Sequence, residues 1–239
     1  MNGRIPGRRI SRLTLVGWVV AFHLGTACNR AAESTETLET IRLPAARIQG
    51  QMSVEEAIQR RRSVRSYSTD PLGLETVSQL LWSGAGKTGD RDHQRAAPSA
   101  GGLHPLDFYV VVGEGRVEGL QAGVWRYHAL DHSLSLGVRG DRRESLKMAS
   151  LNQGMVEQAS INIVVTIEFE RTTRKYKERG RRYAYMDCGF ACENIFLQAE
   201  SVGLAMCPIG AFDDKRVSEV LGLPKEHEPA LILAIGYPR

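Results

Sequence analysis

Ala97-Pro98-Ser99-Ala100-Gly101-Gly102-Leu103-His104-Pro105 runs straight into Leu106-Asp107-Phe108-Tyr109-Val110-Val111-Val112. The second half is rich in aromatic and β-branched residues and reads as a buried strand. The first half is small and flexible, and its glycines let a bulky planar or phosphorylated ligand approach the main chain closely. The strand fixes that loop in space. Taken alone, the pair reads equally as a surface turn before a core strand, so its meaning rests on the residues around it.

The 239 residues suffice for one domain with an extension. A formal net charge of +4 permits an anionic ligand and is too mild to indicate nucleic acid. Arg4, Arg8, Arg9 and Arg12 form a basic head, residues 13–24 are mostly apolar, and Gly25-Thr26-Ala27 precede Cys28. This pattern reads as an export signal over residues 1–27, whose apolar run of residues 13–24 is too short to span a bilayer. Three routes fit: a plain secretory signal cut after Ala27, a lipoprotein signal with Cys28 acylated, and a twin-arginine signal through Arg8-Arg9. Each predicts a protein of the bacterial periplasm or cell envelope, touching membrane only through the signal or a lipid anchor. Residues 28–51 are polar with one Ile41-Arg42-Leu43-Pro44 patch and read as a tether, leaving 52–239 as the folded domain.

Cys188, Cys192 and Cys207 are odd in number and have no further ligands at metal-binding spacing, so they read as buried free thiols and no metal site is expected. Ser53-Val54-Glu55-Glu56 has the form of a capping box. The helix it opens delivers Arg60-Arg61-Arg62-Ser63-Val64-Arg65-Ser66-Tyr67. Closely spaced guanidiniums and hydroxyls can hold a phosphate through charge-assisted hydrogen bonds; a solvated basic helix end is the plainer alternative. A second helix over residues 74–83 puts Leu74, Val77, Leu80 and Leu81 on one face. Gly113, Gly115 and Gly119 have the wrong spacing for a dinucleotide loop, and Glu114 and Glu118 would face the pyrophosphate, so the segment reads as a solvent loop.

Residues 124–127 and 134–136 suggest a hairpin, Asp141 a cap for a helix through 151, and residues 161–169 a buried strand. The charged segment 170–183 reads as a loop and helix start at a pocket rim rather than as a nucleic-acid patch. A long helix over 184–201 is expected to turn Met186, Phe190, Ile195, Phe196 and Ala199 to the core and to end at Gly203. Cys207-Pro208-Ile209-Gly210-Ala211-Phe212 is expected to turn sharply. Asp213 would cap a helix over 214–221, and 230–235 is a last buried strand.

Arg61-Arg62-Ser63-Val64-Arg65-Ser66-Tyr67, Pro98-Ser99-Ala100-Gly101 with His104-Pro105, Pro208-Ile209-Gly210-Ala211-Phe212 and Gly236-Tyr237-Pro238 occur in the order seen in the FMN-dependent nitroreductase family. The chain resembles that family from about Ile41 to Pro238. Within it, the chain looks most like the SagB/ThcOx-type branch, azoline dehydrogenases that aromatise thiazoline and oxazoline rings in modified peptides. The resemblance implies an α+β fold with a central, mostly antiparallel sheet flanked by helices, and a homodimer with FMN at the subunit interface. It implies that Arg61, Arg62 and Ser63 hold the FMN phosphate, with Arg65 near the ribityl and pyrimidine side, where positive charge suits the anionic reduced flavin.

By the same resemblance, Pro98, Ser99, Ala100 and Gly101 line the isoalloxazine from the partner subunit, with His104 nearby. Asn152 or Gln153 offers an amide to the flavin, and Gly210 and Ala211 approach it with backbone amides. Lys175-Tyr176 matches the pair that the azoline-oxidising branch keeps beside the flavin, with Lys175 as base or electrostatic stabiliser and Tyr176 as proton relay while hydride passes to the flavin. The substrate implied is a small molecule or a peptide heterocycle. A short exported chain departs from cytoplasmic peptide-modifying relatives, so the substrate is unassigned. Alternative readings are an NAD(P)H-dependent reductase of nitro groups or quinones and a non-catalytic flavin-binding lipoprotein.

Overall fold

A computed structural model describes residues 39–239. The expected export signal, Cys28 and the first part of the expected tether lie outside the described residues. Two strands set the architecture. β2 (Leu106–Val112) and β5 (Ile161–Ile167) are built of β-branched and aromatic residues and are buried along almost their whole length. They pair antiparallel, with Val110 opposite Ile163. Around them the sheet is completed by β1 (Thr40–Arg42), β3 (Gly123–His128), β4 (Ser133–Arg139), β6 (Ala205–Ile209) and β7 (Glu228–Gly236). The order is β1-β4-β3-β2-β5-β7-β6 and every pairing is antiparallel, as an α+β protein requires.

Side chains on successive strand residues point to opposite faces, so a strand buried throughout needs cover on both sides. One face, with Phe108, Val110, Trp125, Ile163 and Val165, packs against α2 (Leu74–Ala85) and α6 (Arg179–Ser201). The other, with Tyr109, Val111, Val164 and Ile232, packs against α3 (Arg143–Ala149), α4 (Gly154–Gln158) and α7 (Asp214–Leu221). The shorter helices α1 (Val54–Arg60) and α5 (Glu170–Tyr176) lead into the two candidate site segments. Ser53 caps α1 by accepting from the Glu56 amide at 3.1 Å, whereas the Glu56 carboxylate turns to Arg60 at 3.0 Å, so only half of the expected reciprocal box forms. Asp213 caps α7 as expected, and Gly222, at φ 63°, closes it. Cys188, Cys192 and Cys207 are buried free thiols.

Several boundaries differ from the sequence reading. The sheet begins before residue 52: Thr40–Arg42 pairs with β4, and Leu43 behind it is buried, because the Ile41-Arg42-Leu43 patch has an apolar side to hide. The helix expected from 184 begins at Arg179, and α5 precedes it where a loop was expected. Gly180 joins the two; a Cβ there would lie 2.7 Å from the Thr172 and Thr173 backbone. Met186 and Phe190 are 44 % and 52 % exposed rather than in the core, since the inward face of α6 runs through Ala184, Cys188, Ala191 and Ile195. Cys207-Pro208-Ile209 is strand, and the chain turns only from Gly210. Asp141 accepts from the Arg143 amide, but α3 stops at Ala149; Leu151 and Asn152 adopt positive φ before α4, which the sequence reading lacks. The loop after β2 is exposed at Glu114, Gly115, Glu118 and Gly119, as expected. Among the described residues no helix is long and apolar enough to cross a membrane.

Trp125 is fully buried and donates from Nε1 to the Gln121 carbonyl at 3.1 Å. Trp125→Ala is expected to cost about 3–5 kcal/mol. Urea unfolding checks this as a lower midpoint at unchanged slope.

Candidate active site

The loop before β2 is held by one carboxylate. Asp187 lies on the buried side of α6 and accepts from the Ser99 hydroxyl at 2.7 Å and from the Ala100 amide at 3.1 Å. Ser99 in turn accepts from the His104 amide at 2.9 Å, so the hydroxyl bridges helix and loop end. Between these anchors the backbone takes positive φ at Gly101 (64°), Gly102 (65°) and His104 (45°). Gly101 is also a point of close approach: a Cβ there would sit 2.6 Å from Tyr176 Oη and 2.9 Å from Lys175 Nζ. The two expected catalytic side chains, at the end of α5, thus meet the expected flavin-lining loop at a position that only glycine fits.

Further contacts hold that meeting point. Lys175 Nζ rests over the Tyr176 ring at 5.3 Å from its centroid. Tyr183 of α6 packs edge-on against Tyr176 at 5.1 Å, and its hydroxyl accepts from Arg179 Nε at 2.8 Å. Arg171, one turn before Lys175, donates to the His104 carbonyl at 3.0 Å and pairs with Asp107 and Glu168 at 2.6 Å each. His227 Nε2 approaches the same two carboxylates at 3.6 and 3.8 Å, and the Tyr109 hydroxyl reaches its Nδ1 at 2.9 Å. Asp107, Glu168 and His227 have the ligand types of a cation site. The Arg171 guanidinium already supplies positive charge there, and burial holds His227 below the ordinary imidazole value. Burial, with the nearby Arg95 charge, likewise lowers the pKa of His104.

A second group gathers at the β6 edge. Ser63 bridges to Met206 in the parallel sense, and the Val64 amide donates to the Met206 carbonyl at 3.1 Å, which runs the Arg61 to Arg65 segment alongside β6. Arg61 packs over Phe196 at 4.7 Å and lies 3.7 Å from Glu193, both on α6. Arg62, Ser63 and Arg65 are exposed. Gly210 and Ala211, also exposed, follow β6 directly, and Gln153 Nε2 donates to the Ala211 carbonyl at 2.9 Å. Asn152 is exposed and, among the described residues, has no side-chain partner, so of the two amides only Gln153 joins this group. The two groups do not meet within one chain. Asp187 serves one, and Glu193 and Phe196 the other, roughly 9–14 Å apart along α6 at 1.5 Å per residue.

Asp187, Arg171 and Tyr183 are absent from the sequence-derived site. Asp187 had a readable signal, an acid in line with the inward face that runs through Ala184, Cys188 and Ala191. Arg171 and Tyr183 are lost in a run of like residues.

The fold is an α+β sheet with polar side chains converging on a glycine loop, and comparison with known proteins assigns its class. The pattern of the Nitroreductase family matches residues 58–237, and the chain belongs to that family of flavin oxidoreductases. A nitroreductase-type protein of Methanocaldococcus jannaschii is 36% identical over 78% of this chain and 91% of its own length. The trifolitoxin-processing protein of Rhizobium leguminosarum bv. trifolii is 31% identical over 67% of this chain, which spans 46% of that relative. A nitroreductase-type crystal structure from Ralstonia eutropha superposes with a TM-score of 0.72 at 27% identity, covering 84% of this chain and 90% of that one.

Removing the carboxylate in Asp187→Ala leaves the Ser99 hydroxyl and the Ala100 amide unpaired. The expected loss is about 1–3 kcal/mol of stability. Amide hydrogen exchange should accelerate at Ala100 and His104 well before it does in β2.

Proposed function

We propose that the chain is an FMN-dependent oxidoreductase of the SagB/ThcOx type, exchanging hydride between flavin and a ring-containing substrate. The observation that carries this reading is the convergence of Lys175 and Tyr176 on Gly101. The donor set suits FMN. Arg62, Ser63 and Arg65 are exposed, Arg61 is half-buried, and together they offer charge-assisted bonds to a phosphate dianion. The Gly210 backbone is open to close approach, since an added Cβ there would touch only Leu231, at 3.8 Å. Bound FMN supplies reversible two-electron hydride chemistry.

Tyr176 Oη, at the loop, holds or delivers the substrate proton; Lys175, stacked on its ring, acts as base or stabilises the negative charge left when that proton departs. Relationship to a trifolitoxin-processing protein, taken with the SagB/ThcOx-type resemblance, favours a heterocycle within a peptide or a small molecule like it. An NAD(P)H-dependent nitro or quinone reductase is the second reading, favoured by the Methanocaldococcus relative.

A homodimer is part of the proposal, because the Arg61 group and the Pro98–Gly101 loop stand apart in one chain. Val54 and Ile58 of α1, with Tyr185, Met186 and Phe190 of α6, expose apolar surface on the helices that carry the two groups. A second copy laid there would bring its loop toward the first copy's arginines. Export through residues 1–27, with Cys28 free or lipidated, completes the reading.

Heat-released ligand should be FMN, and light scattering should give a dimer. Arg61→Ala should weaken FMN binding by about 1.5–3 kcal/mol. Lys175→Ala and Tyr176→Phe should retain FMN and the dimer while slowing oxidation of a thiazoline-containing peptide about 10² to 10⁴-fold. Rapid bleaching by NAD(P)H, with turnover of a nitro compound indifferent to both substitutions, would move the conclusion to the second reading.

A further inference from the structure

Building on that reading, we propose that the site selects a substrate bearing a negative charge beside its reacting ring, through the unpaired cations where α5 meets α6. Residues 170–183 carry seven basic side chains and two acidic ones. Three of the cations are neutralised within the chain: Arg171 by Asp107 and Glu168, Arg174 by Glu170, and Arg181 by Glu228. Among the described residues, Lys175, Lys177, Arg179 and Arg182 have no carboxylate partner.

Two of these cations, Lys175 and Arg179, stand at the reacting groups. Lys175 Nζ adjoins Gly101 and the face of Tyr176. Arg179 reaches the Tyr183 hydroxyl at 2.8 Å, and the Tyr183 ring meets the Tyr176 ring at 5.1 Å, which leaves the guanidinium one ring away from the Tyr176 phenol. Arg182 follows on the first turn of α6 and is exposed.

The helix dipole favours Lys175 and Lys177 at the end of α5 but not the cations that open α6. The start of a helix favours acidic side chains, yet the first turn of α6 holds Arg179, Arg181 and Arg182 and no acid. Like charges concentrated against both the helix end and one another raise the local concentration of anions instead. A break in a local rule at an active-site rim is where function overrides stability. The complementary ligand is a planar ring carrying a carboxylate or a similar anion, its ring against the tyrosines and its charge toward Arg179 and Arg182.

Calorimetric titration of the purified protein, FMN-loaded as isolated, with benzoate and with benzamide reads this preference without turnover. Benzoate should bind about tenfold tighter than benzamide at low salt, the sum of several modest ion pairs. The preference should vanish at about 1 M salt, where the Debye length is about 3 Å. It should also vanish in the Arg179→Gln/Arg182→Gln variant, whose melting temperature should hold or rise because cations leave the helix start. Equal affinities, no benzoate binding, or a preference that survives the double substitution each overturn the proposal. Protein isolated without FMN sinks the functional reading instead, and titration of that same preparation still decides whether the rim takes an anion.

Discussion

β2 and β5 present buried side chains on both faces, so neither can border water, and helices must close both sides of the sheet. α6 is the longest part of that cover. Its inward face is made of small and apolar residues with one exception, the carboxylate of Asp187, which is 4% exposed. A buried carboxylate is tolerated only when hydrogen bonds replace the lost water. Ser99 and Ala100 supply them, and by supplying them they take the conformation that brings Gly101 under Tyr176. Covering the core and shaping the site are therefore one act of packing.

The same helix keeps the two candidate groups apart. Its first half carries Tyr183 and Asp187 toward the loop, and its second half carries Glu193 and Phe196 toward Arg61. A straight helix cannot bring its own two ends together. Apolar side chains left outward at Tyr185, Met186 and Phe190 lie along the stretch between.

Strong periodicity made much of the fold legible in the amino-acid order. The runs at β2, β5 and β7, the β3–β4 hairpin, α2 and the capped α7 all follow from local pattern and turn chemistry. What stayed hidden had conflicting signals. α6 has apolar residues on more than one side, so Met186 and Phe190 looked like core until the packing face was known. Its start lies in a crowd of arginines that reads as loop. The three-residue β1 is too short for a periodic signal. At the site, residues 61–65 and 98–101 were marked by composition, whereas Lys175-Tyr176 was singled out only by resemblance. Helical spacing marks Asp187 as an inward-facing acid, but its partners Ser99 and Ala100 are reached only through tertiary distance, which no spacing in the chain encodes.

Strand order also sorts the two ends of the described chain. β1, where it begins, occupies one edge of the sheet, and β6, flanked by the arginine segment, occupies the other, six strand spacings or roughly 29 Å away. The last residues run back along that segment: Ser68 donates to Tyr237, Tyr67 bridges to Pro238, and the Arg239 amide donates to Ser66. For anyone building reagents from this protein, the ends are not equivalent. A fluorescent label, surface-immobilisation handle or fused partner joined ahead of β1 hangs from the remote edge, whereas the same cargo at Arg239 would be sewn into the border of the arginine cluster.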